Sequence, residues 1–538
     1  MDSLNLALVD SFENFADNKA ILINDEFITY RELGALSQNL ARIIKKHNFI
    51  FIFGYRSFET YISISASVLT HTAFIPLNPN FPQERLETMI KRVDCNALIL
   101  CKECVESFKK IANFIKPCVV YCFDDFDFKD EFKQHTFIVI NNALSADSTY
   151  TKESTPLEST PAYLLFTSGS TGIPKGVLVS RGNLFSYVKR IQKIYNFSKL
   201  DRISQFFDIT FDLSMHDIFC SFLSGTTLVV IPKNQLLNPL KYINKTQLTV
   251  LFAPPSFIAY LQKLKILKEN VLPNLRAALF CGEALPSASA IAFSKAAPQA
   301  SLDNLYGPTE ATISFTFYRV KEAGISNKIQ DLKGEDIIPL GLPLCGLKIS
   351  IRDAENREVR NGEIGEILLG SKENSQIALG YYKDIEKTKE KFFSENGVQW
   401  YKTGDLGYFN ATLNAYCFKG RIDEQVKIQG YRVELLEVDK ALQIISGVQS
   451  RAVLLSENGL SVLIGVIEGI QDDKKAVEIL CGLKKKLPFY MIPQKILFLE
   501  SFPLNSNGKV DREAIKIKIQ NILNAIISVT PPPPPQKQ

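Results

Sequence analysis

Residues 163–176 read YLLFTSGSTGIPKG, and no other stretch says as much about the architecture of the chain. An apolar run over 163–166 ends in a short loop of glycines and hydroxyl residues. A second apolar run, Gly176–Val179, begins directly after Lys175. Two apolar runs on either side of a short polar loop predict a hairpin of two β-strands.

The loop itself has the chemistry of an anion site. Glycines let backbone N–H groups approach an anion, hydroxyls donate hydrogen bonds and lysine supplies charge. This composition suits a polyphosphate, although the spacing differs from the G-x-x-x-x-G-K-[ST] loop, and an ordinary flexible loop is the alternative. The predicted phosphate-binding residues are Thr167, Ser168, Gly169, Ser170, Thr171, Gly172 and Lys175.

Four further segments accompany the loop along the chain. They read 304-NLYGPTEAT-312, 401-YKTGDLG-407, 420-GRIDEQVKIQGYRVEL-435 and 504-LNSNGKVDR-512. Each resembles a motif of the adenylate-forming superfamily, and the loop resembles that family's phosphate-binding loop. The superfamily includes acyl-CoA synthetases, luciferases and amino-acid adenylation enzymes. Because all five segments occur in the family's order, the resemblance extends over nearly the whole chain.

Composition narrows the class of protein. The 538 residues exceed a single typical domain, and 46% apolar with 22% charged residues is usual for a globular protein. A net charge of +5 without a basic block does not favour nucleic acid as a partner. The N-terminus lacks the basic region of a signal peptide, and no apolar run reaches the roughly 18 residues of a membrane span. We therefore expect a cytoplasmic protein with no membrane partner.

Local patterns predict an α/β chain. Tyr30–Lys46 has apolar residues at helical spacing, and strands are predicted at 248–253 and 277–280 among helical stretches. Residues 451–455 and 461–467 predict strands of a separate, smaller unit.

The resemblance implies an α/β fold with a large N-terminal domain and a small mobile C-terminal domain. The large domain, residues 1–422, is expected to comprise two sheet-and-helix lobes and a barrel-like lobe. The small α+β domain, residues 423–520, is expected to turn about a hinge at Asp423. Residues 521–538 end in PPPPPQKQ, which cannot pack as a helix or sheet, and we expect a disordered tail there.

The resemblance also implies ATP and Mg²⁺ as cofactors, because the superfamily joins a carboxylate to the α-phosphate of ATP and releases pyrophosphate. Both partners are anions, so positioning and charge neutralisation dominate catalysis. Glu310 is the expected Mg²⁺ ligand, and Thr309 is expected to contact the α-phosphate. The other residues expected to bind ATP, through adenine or ribose, are Gly282, Glu283, Ala284, Tyr306, Asp405, Phe418 and Arg421.

Two further residues have catalytic roles in the family. Lys509, in the turn NSNGKVD, resembles the lysine that bridges the carboxylate and the α-phosphate, although a surface lysine beside glycine is usually inert. Gly430, in KIQGYR, resembles the loop that takes the lysine's place when the small domain rotates and opens a path for a thiol.

The segment FFDITFDLSMHDIF, residues 206–219, bears on which acid is activated. Amino-acid adenylation enzymes use the Asp of FDLS to bind the substrate ammonium, and acyl-CoA synthetases lack it. Asp212 is therefore the expected ammonium anchor, with a helix-capping role as the alternative. Asp208 and Asp217 are expected to be structural.

The expected walls of the amino-acid pocket are mostly aliphatic, which suits a small apolar side chain. The segments around them resemble free-standing prolyl-adenylating ligases first and D-alanine–carrier protein ligases second, so L-proline is favoured over D-alanine. His216 departs from the apolar residue expected for proline, and it either packs or hydrogen-bonds a polar side chain. The wall residues are Leu213, His216, Leu279, Cys281, Leu305, Ile313 and Ser314.

The chain contains no G-G-x-S carrier-protein motif. The leading hypothesis is a stand-alone amino-acid ligase that loads the phosphopantetheine thiol of a separate carrier protein. One alternative is an acyl-CoA synthetase for acids without an amine, and Asp212 argues against it. The other is a catalytically silent binding or scaffold protein on the same fold, and the intact Lys509, Glu310 and Asp405 argue against that.

Overall fold

The fold is described from a computed structural model of the chain. The described residues are 3–140, 158–169, 173–323, 336–373, 375–457, 460–505 and 509–529. Within these ranges, no helix combines the length with the apolar character that a bilayer crossing requires.

The helices alternate with strands over most of the described chain. In chain order they are α1 (Leu4–Asn14), α2 (Tyr30–Ile44), α3 (Phe58–Leu69), α4 (Gln83–Lys91), α5 (Val105–Ile111), α6 (Arg181–Tyr195), α7 (Asp212–Phe222), α8 (Pro239–Lys245), α9 (Pro255–Lys263), α10 (Ser287–Ala296), α11 (Ile385–Lys391), α12 (Leu435–Ser446), α13 (Asp473–Lys486) and α14 (Arg512–Val529).

The strands are mostly short and apolar. In chain order they are β1 (Lys19–Ile23), β2 (Glu26–Thr29), β3 (Phe49–Phe53), β4 (Ala73–Leu77), β5 (Ala97–Leu100), β6 (Val119–Cys122), β7 (Thr136–Val139), β8 (Pro161–Thr167), β9 (Lys175–Ser180), β10 (Arg202–Gln205), β11 (Thr227–Val230), β12 (Val250–Ala253), β13 (Ala277–Phe280), β14 (Ser301–Tyr306), β15 (Thr316–Lys321), β16 (Leu342–Pro343), β17 (Lys348–Arg352), β18 (Gly365–Ser371), β19 (Gly380–Tyr381), β20 (Phe392–Glu395), β21 (Val398–Asn410), β22 (Ala415–Arg421), β23 (Gln425–Ile428), β24 (Tyr431–Glu434), β25 (Ser450–Glu457), β26 (Leu460–Glu468) and β27 (Lys495–Leu499).

The first lobe is built on a sheet with the strand order β19-β9-β8-β4-β3-β5-β6-β7. Strands β8 and β9 pair antiparallel, which confirms the hairpin predicted around the glycine-rich loop. β9 ends at Ser180, and this residue forms a capping box with Asn183 at the start of α6. The hairpin therefore leads directly into a helix, and this arrangement positions the loop between β8 and β9.

The second lobe contains a sheet with the order β16-β15-β14-β13-β12-β10-β11-β1-β2. Strands β12 and β13, both predicted from the sequence, are parallel neighbours in it. Helices from α1, α2, α3, α6 and α7 pack with both sheets in one apolar core, which includes Leu8, Leu33, Ile64, Ile191 and Phe219. Burying the apolar faces of two sheets and their helices together makes the two lobes a single large domain.

The third lobe is an antiparallel sheet of β17, β18, β21 and β20, with β22 paired to β21. β21 is long, and it contributes Asp405 near its middle. The large domain thus has two sheet-and-helix lobes and a further sheet lobe, and the predicted fold class is confirmed.

The small domain combines the hairpin β23–β24 with the sheet β25-β26-β27 and helices α12 to α14. Its own core includes Val453, Val466 and Ile515. Asp423, the predicted hinge residue, lies in the connection between β22 and β23. The predicted α+β unit therefore begins where the chain leaves the third lobe.

The small domain packs on the large domain through charged and aromatic contacts. Arg85 of α4 and Glu437 of α12 form a buried ion pair at 2.6 Å. The rings of Tyr431 and Tyr490 stack with centroids 4.1 Å apart, and Phe211 of the large domain meets Tyr431 edge-on at 4.4 Å. These contacts hold the hairpin β23–β24 against the cleft of the large domain.

The first part of the predicted disordered tail is helical. Helix α14 continues to Val529, so residues 521–529 are helical. The run of prolines that cannot be helical starts only at Pro531, and the intervening residues are mostly apolar helix formers. Residues 530–538 lie outside the described part of the chain.

Candidate functional site

The glycine-rich loop lies at the end of the β8–β9 hairpin, where Thr167 pairs with Lys175. The Thr167 hydroxyl oxygen is buried and has no hydrogen-bond partner within the described residues. A Cβ on Gly169 would come within 2.0 Å of the Ile173 carbonyl oxygen, so only glycine fits there. An orphaned hydroxyl beside a tightly folded glycine loop suits an anion. Three predicted loop residues lie outside the described residues: Ser170, Thr171 and Gly172.

Lys175 places a cation at the base of this loop. Its side chain is buried, and its ammonium lies 5.7 Å from the centre of the Tyr381 ring. Burial, followed by the charge of Arg432, lowers the pKa of Lys175 to about 8. A phosphate in the loop would relieve both effects, so the environment favours an anionic ligand.

Glu310 lies within a short 3-10 turn, Thr309–Ala311, and is fully buried. Arg432 donates to both carboxylate oxygens at 2.9 Å, and the Tyr381 hydroxyl donates to Oε1 at 2.8 Å. Burial alone would raise the pKa of Glu310, but the Arg432 charge and the hydrogen bonds outweigh it and hold that pKa below its usual value. The site therefore contains a buried, ionised carboxylate.

Asp212 is the first residue of α7 and is buried. The N-cap of the helix is Phe211, and no side-chain cap is formed, so Asp212 does not have the alternative helix-capping role. Burial, with a contribution from the nearby Glu310 charge, raises the pKa of Asp212 to about 6. The Thr309 hydroxyl and the charge of Lys427 oppose this shift. A buried carboxylate so placed would be stabilised by a bound ammonium group.

The residues predicted to bind adenine and ribose converge on one cavity of about 610 Å³. Its wall continues onto the small domain at Leu454 and Ser456, so both domains enclose it. Phe418 lines it where the family usually has a tyrosine. The predicted residues on its wall are Gly282, Glu283, Ala284, Tyr306, Asp405, Phe418 and Arg421.

Both carboxylate oxygens of Asp405 are engaged. The Tyr306 hydroxyl donates to Oδ2 at 2.6 Å, and the Arg421 guanidinium contacts Oδ1. Arg421 also donates to Asp423 at 2.6 Å, which ties the third lobe to the predicted hinge. The side chains expected to hold the ribose are thus fixed relative to one another.

Of the predicted pocket walls, Leu213 lies next to Asp212 at the start of α7. A small cavity of about 50 Å³ lies beside Asp212 and Leu213, and Thr309 and Gly430 also line it. The apolar walls belong to the core that joins the two lobes, and they are Leu213, Leu279, Cys281, Leu305 and Ile313. The space next to Asp212 is therefore small, and its lining combines Leu213 with polar side chains such as Thr309 and Lys427.

His216 is buried and packs within this wall. The Tyr187 hydroxyl lies 2.7 Å from its Nδ1 and 3.1 Å from the Ser314 hydroxyl, and the His216 ring lies 4.2 Å from that of Phe252. Burial lowers the pKa of His216 to about 3, so the ring is neutral. Its Nε2 has no hydrogen-bond partner among the described residues.

Gly430 lies at the cleft, at the tip of the hairpin β23–β24. Gln429 and Gly430 have φ of +53° and +82°, as in the two-residue turns that join antiparallel strands. The Glu283 carboxylate accepts hydrogen bonds from the backbone N–H groups of both residues. Gly430 also approaches Gly282 so closely that a Cβ on Gly282 would lie 3.2 Å from its Cα. The structure thus brings the predicted thiol-path loop to the other site residues.

Lys509 is not brought to them. Its side chain is exposed on the small domain, and its backbone pairs with Asn505 through bonds of 2.7 and 3.0 Å. Neither the 610 Å³ nor the 50 Å³ cavity is lined by Lys509. The described arrangement therefore presents Gly430, and not Lys509, to the cleft, and the catalytic role of Lys509 stays a prediction.

Three residues of the site had no predicted role. Arg432 lies on β24, two residues after Gly430, and reaches Glu310 of the large domain. Tyr381 follows the third lobe's first strands and reaches Glu310 from β19. Tyr187 comes from α6, where nothing in the sequence marks it as the partner of His216.

Comparisons with known proteins agree with the fold. The family model described as "AMP-binding enzyme" matches residues 8–382. The D-alanine--D-alanyl carrier protein ligase of Listeria monocytogenes serovar 1/2a is 31% identical over 516 residues, which cover 91% of this chain and 94% of the relative. A ligase of the same name from Bacillus velezensis is 29% identical over 531 residues, with coverage of 95% and 99%.

A solved structure is similar over the same length. The Vibrio cholerae adenylation domain AlmE, in complex with glycyl-adenosine-5'-phosphate, superposes with a TM-score of 0.84 at 27% identity. The match covers 96% of this chain and 98% of AlmE. Both domains of the present chain are therefore included in the similarity.

Proposed function

The chain belongs to the family of AMP-binding enzymes, and we propose that it adenylates a small amino acid with ATP and transfers it to the phosphopantetheine thiol of a separate carrier protein. The observation that carries the proposal is the buried carboxylate of Asp212 beside Thr309 and the narrow cavity. An acid without an amine would leave this charge unpaired, and a buried unpaired charge is costly.

The nucleotide would lie across the two cavities. Asp405 and Arg421 would hold the ribose, and Tyr306 and Phe418 would flank adenine. Lys175 and the hydroxyls of the glycine-rich loop would neutralise the outer phosphates. Glu310, an ionised buried carboxylate, is the residue that would hold Mg²⁺ next to the phosphate oxygens once Arg432 no longer occupies it. When bound, Mg²⁺ would neutralise charge on the phosphates.

The two half-reactions would use different faces of the small domain. In the first, Lys509 would turn to the cleft and neutralise charge between the carboxylate and the α-phosphate. In the second, the Gly430 hairpin would replace it and leave a path for the thiol. The described arrangement, with Gly430 at the cleft and Lys509 exposed, supports the second of these.

For the substrate we place D-alanine first and glycine second. Both ligase relatives have D-alanine in their names, and AlmE was crystallised with a glycyl adenylate. The L-proline preferred from the sequence is not supported by these relatives. The small volume beside Asp212, about 50 Å³, is compatible with a small amino acid.

A pyrophosphate-exchange screen over both enantiomers of the amino acids tests the proposal. We expect D-alanine to give the fastest exchange and glycine, which lacks one methyl group, to be slower by about 10–200-fold in kcat/KM. Propanoate, which is D-alanine without its amine, is the matched control and should give no exchange. Fastest exchange with an aromatic or acidic amino acid would contradict the pocket assignment, and exchange with propanoate would favour an acyl-CoA synthetase. Loading of a phosphopantetheinylated carrier protein, compared with free coenzyme A, tests the acceptor.

The raised pKa of Asp212 predicts a pH dependence. The anchor must be ionised to pair with an ammonium group, so kcat/KM for the amino acid should fall about tenfold per unit below pH 6 and level off above it. Because kcat/KM reports ionisations of the free enzyme, this acidic limb of the pH profile should reflect the pKa of about 6 of Asp212 in the empty site. Asp212→Asn, which cannot ionise, should lose this limb while the pH dependence of ATP binding stays unchanged. An identical limb in the variant would assign it to another group.

A further inference from the structure

Arg432 occupies both oxygens of the carboxylate that is proposed to bind Mg²⁺. Its Nη1 lies 2.9 Å from each Glu310 oxygen, and Tyr381 takes a further position on Oε1. Glu310 is fully buried, and its pairing with Arg432 is an ion pair between the two domains. Both oxygens of the carboxylate are engaged by a cation in this way, and a metal ion beside Arg432 would be repelled by its charge.

The hairpin holds the guanidinium firmly in this place. Arg432 Nε donates to Gln425 on the facing strand at 2.8 Å. The Arg432 carbonyl accepts from the Ser168 hydroxyl at 2.9 Å, which joins the hairpin to the phosphate loop. At the hairpin tip, Glu283 accepts from the Gly430 backbone. Arg432 is thus positioned by contacts at its backbone, its side chain and the adjacent turn.

The same arrangement covers the phosphate loop. Arg432 lines a small cavity together with Thr167, Ser168 and Thr309, which are residues predicted to contact phosphates. The hairpin therefore faces the described part of the loop, at Thr167 and Ser168, as well as the proposed metal ligand. A nucleotide triphosphate with its metal and the engaged hairpin compete for the same groups.

We propose that Arg432 is a positioning residue that replaces Mg²⁺ at Glu310, so that the hairpin can engage only after the metal and pyrophosphate have left. This inference rests on the proposed use of Mg²⁺ and ATP. It assigns the order of the two half-reactions to a single carboxylate: Glu310 binds the metal in adenylate formation and Arg432 in thiol transfer. Thiol transfer then cannot begin while the metal and pyrophosphate occupy the site.

The proposal that Arg432 and Mg²⁺ exclude each other at Glu310 is tested by the binding of Mg²⁺–pyrophosphate to the full chain, without amino acid or carrier protein. In the wild type, only the molecules whose hairpin is not engaged can bind Mg²⁺–pyrophosphate. The apparent affinity for this ligand is therefore reduced in proportion to that fraction. Arg432→Gln removes the competing charge, and we expect tighter binding, by up to about tenfold if nine-tenths of the wild type is engaged. Pyrophosphate with EDTA should show no such gain, because the competition is for the metal ligand.

The position of the small domain gives a second readout. Cys345 on the large domain and Cys481 on the small domain are exposed, whereas the other cysteines are buried or half-buried. Dyes on these two thiols should report a change in energy transfer when Mg²⁺–pyrophosphate is added to the wild type. Without ligand, Arg432→Gln should already show the energy transfer that the wild type reaches only with Mg²⁺–pyrophosphate. Arg432→Lys, which keeps the cation, should show an energy transfer between those of Arg432→Gln and the ligand-free wild type.

Lys486→Gln is the matched control, because Lys486 and Glu84 form an exposed ion pair of 3.0 Å across the same interface without contacting Glu310. It should leave both readouts unchanged. Binding of Mg²⁺–pyrophosphate by Arg432→Gln that is equal to or weaker than wild type would overturn the proposal, since it would make Arg432 a bystander or a phosphate ligand. Neither readout depends on the amino acid. If the exchange screen fails but Arg432→Gln binds Mg²⁺–pyrophosphate more tightly, the proposed substrate is refuted and the inference about Arg432 stands.

Discussion

Alanine in place of Lys509 is expected to lower the rate of aminoacyl-adenylate formation by about 10²–10³-fold and to leave thiol transfer from preformed adenylate nearly unchanged. This loss of rate is the one expected when a charge that stabilises mainly the transition state is removed. Transfer should survive because the described arrangement has Lys509 exposed and Gly430 at the cleft. The two rates are measured separately, by pyrophosphate exchange and by single-turnover transfer from purified adenylate.

Lys518→Ala is the control for this experiment. Lys518 is an exposed lysine on α14 of the same domain, and it lines neither of the two cavities. It should leave both rates at the wild-type level. An equal loss of both half-reactions in Lys509→Ala would contradict the alternation of Lys509 and Gly430, since one arrangement of the domains would then serve both steps.

Local elements of this fold could be predicted because their signals are short-range. The β8–β9 hairpin, helix α2 and the strands β12 and β13 each follow from apolar spacing within a few residues. The partners of these strands could not be predicted in the same way. β1 pairs with β11, about two hundred residues later, and β19 completes the sheet beside β9. Parallel and distant pairings depend on packing of whole layers and leave no local pattern.

The residues of the site also differ in whether local sequence could predict them. Motif residues such as Tyr306, Asp405 and Arg421 converge on one cavity, as the resemblance implies. The pairing of Arg432 with Glu310 depends on how the small domain sits on the large one, and periodicity within either domain does not encode that orientation. Helix α14 extends over residues 521–529, where a disordered tail is expected from the nearby prolines, because the residues before those prolines are mostly apolar helix formers.

A second large effect is expected at the proposed ammonium anchor. Asp212→Ala should lower kcat/KM for the amino acid by about 10²–10³-fold and leave the KM for ATP nearly unchanged. Removing one partner of a buried charge pair costs about 2–5 kcal/mol, and Asp212 is buried beside the narrow cavity. Asp405 and Arg421, which are proposed to hold the ribose, line both cavities, but the substitution leaves their side chains and their mutual contact in place.

Asp208→Asn is the matched comparison, because Asp208 is a buried acid of the same segment that binds Thr210 and Asn78 and does not line the 50 Å³ cavity. It should lower thermal stability without a selective loss for the amino acid. Asp212→Asn, which keeps the shape but not the charge, should behave like Asp212→Ala in exchange with D-alanine. Wild-type exchange by Asp212→Asn, or a selective loss in Asp208→Asn instead, would show that the ammonium group is bound elsewhere and would remove the observation on which the choice of an amino acid rests.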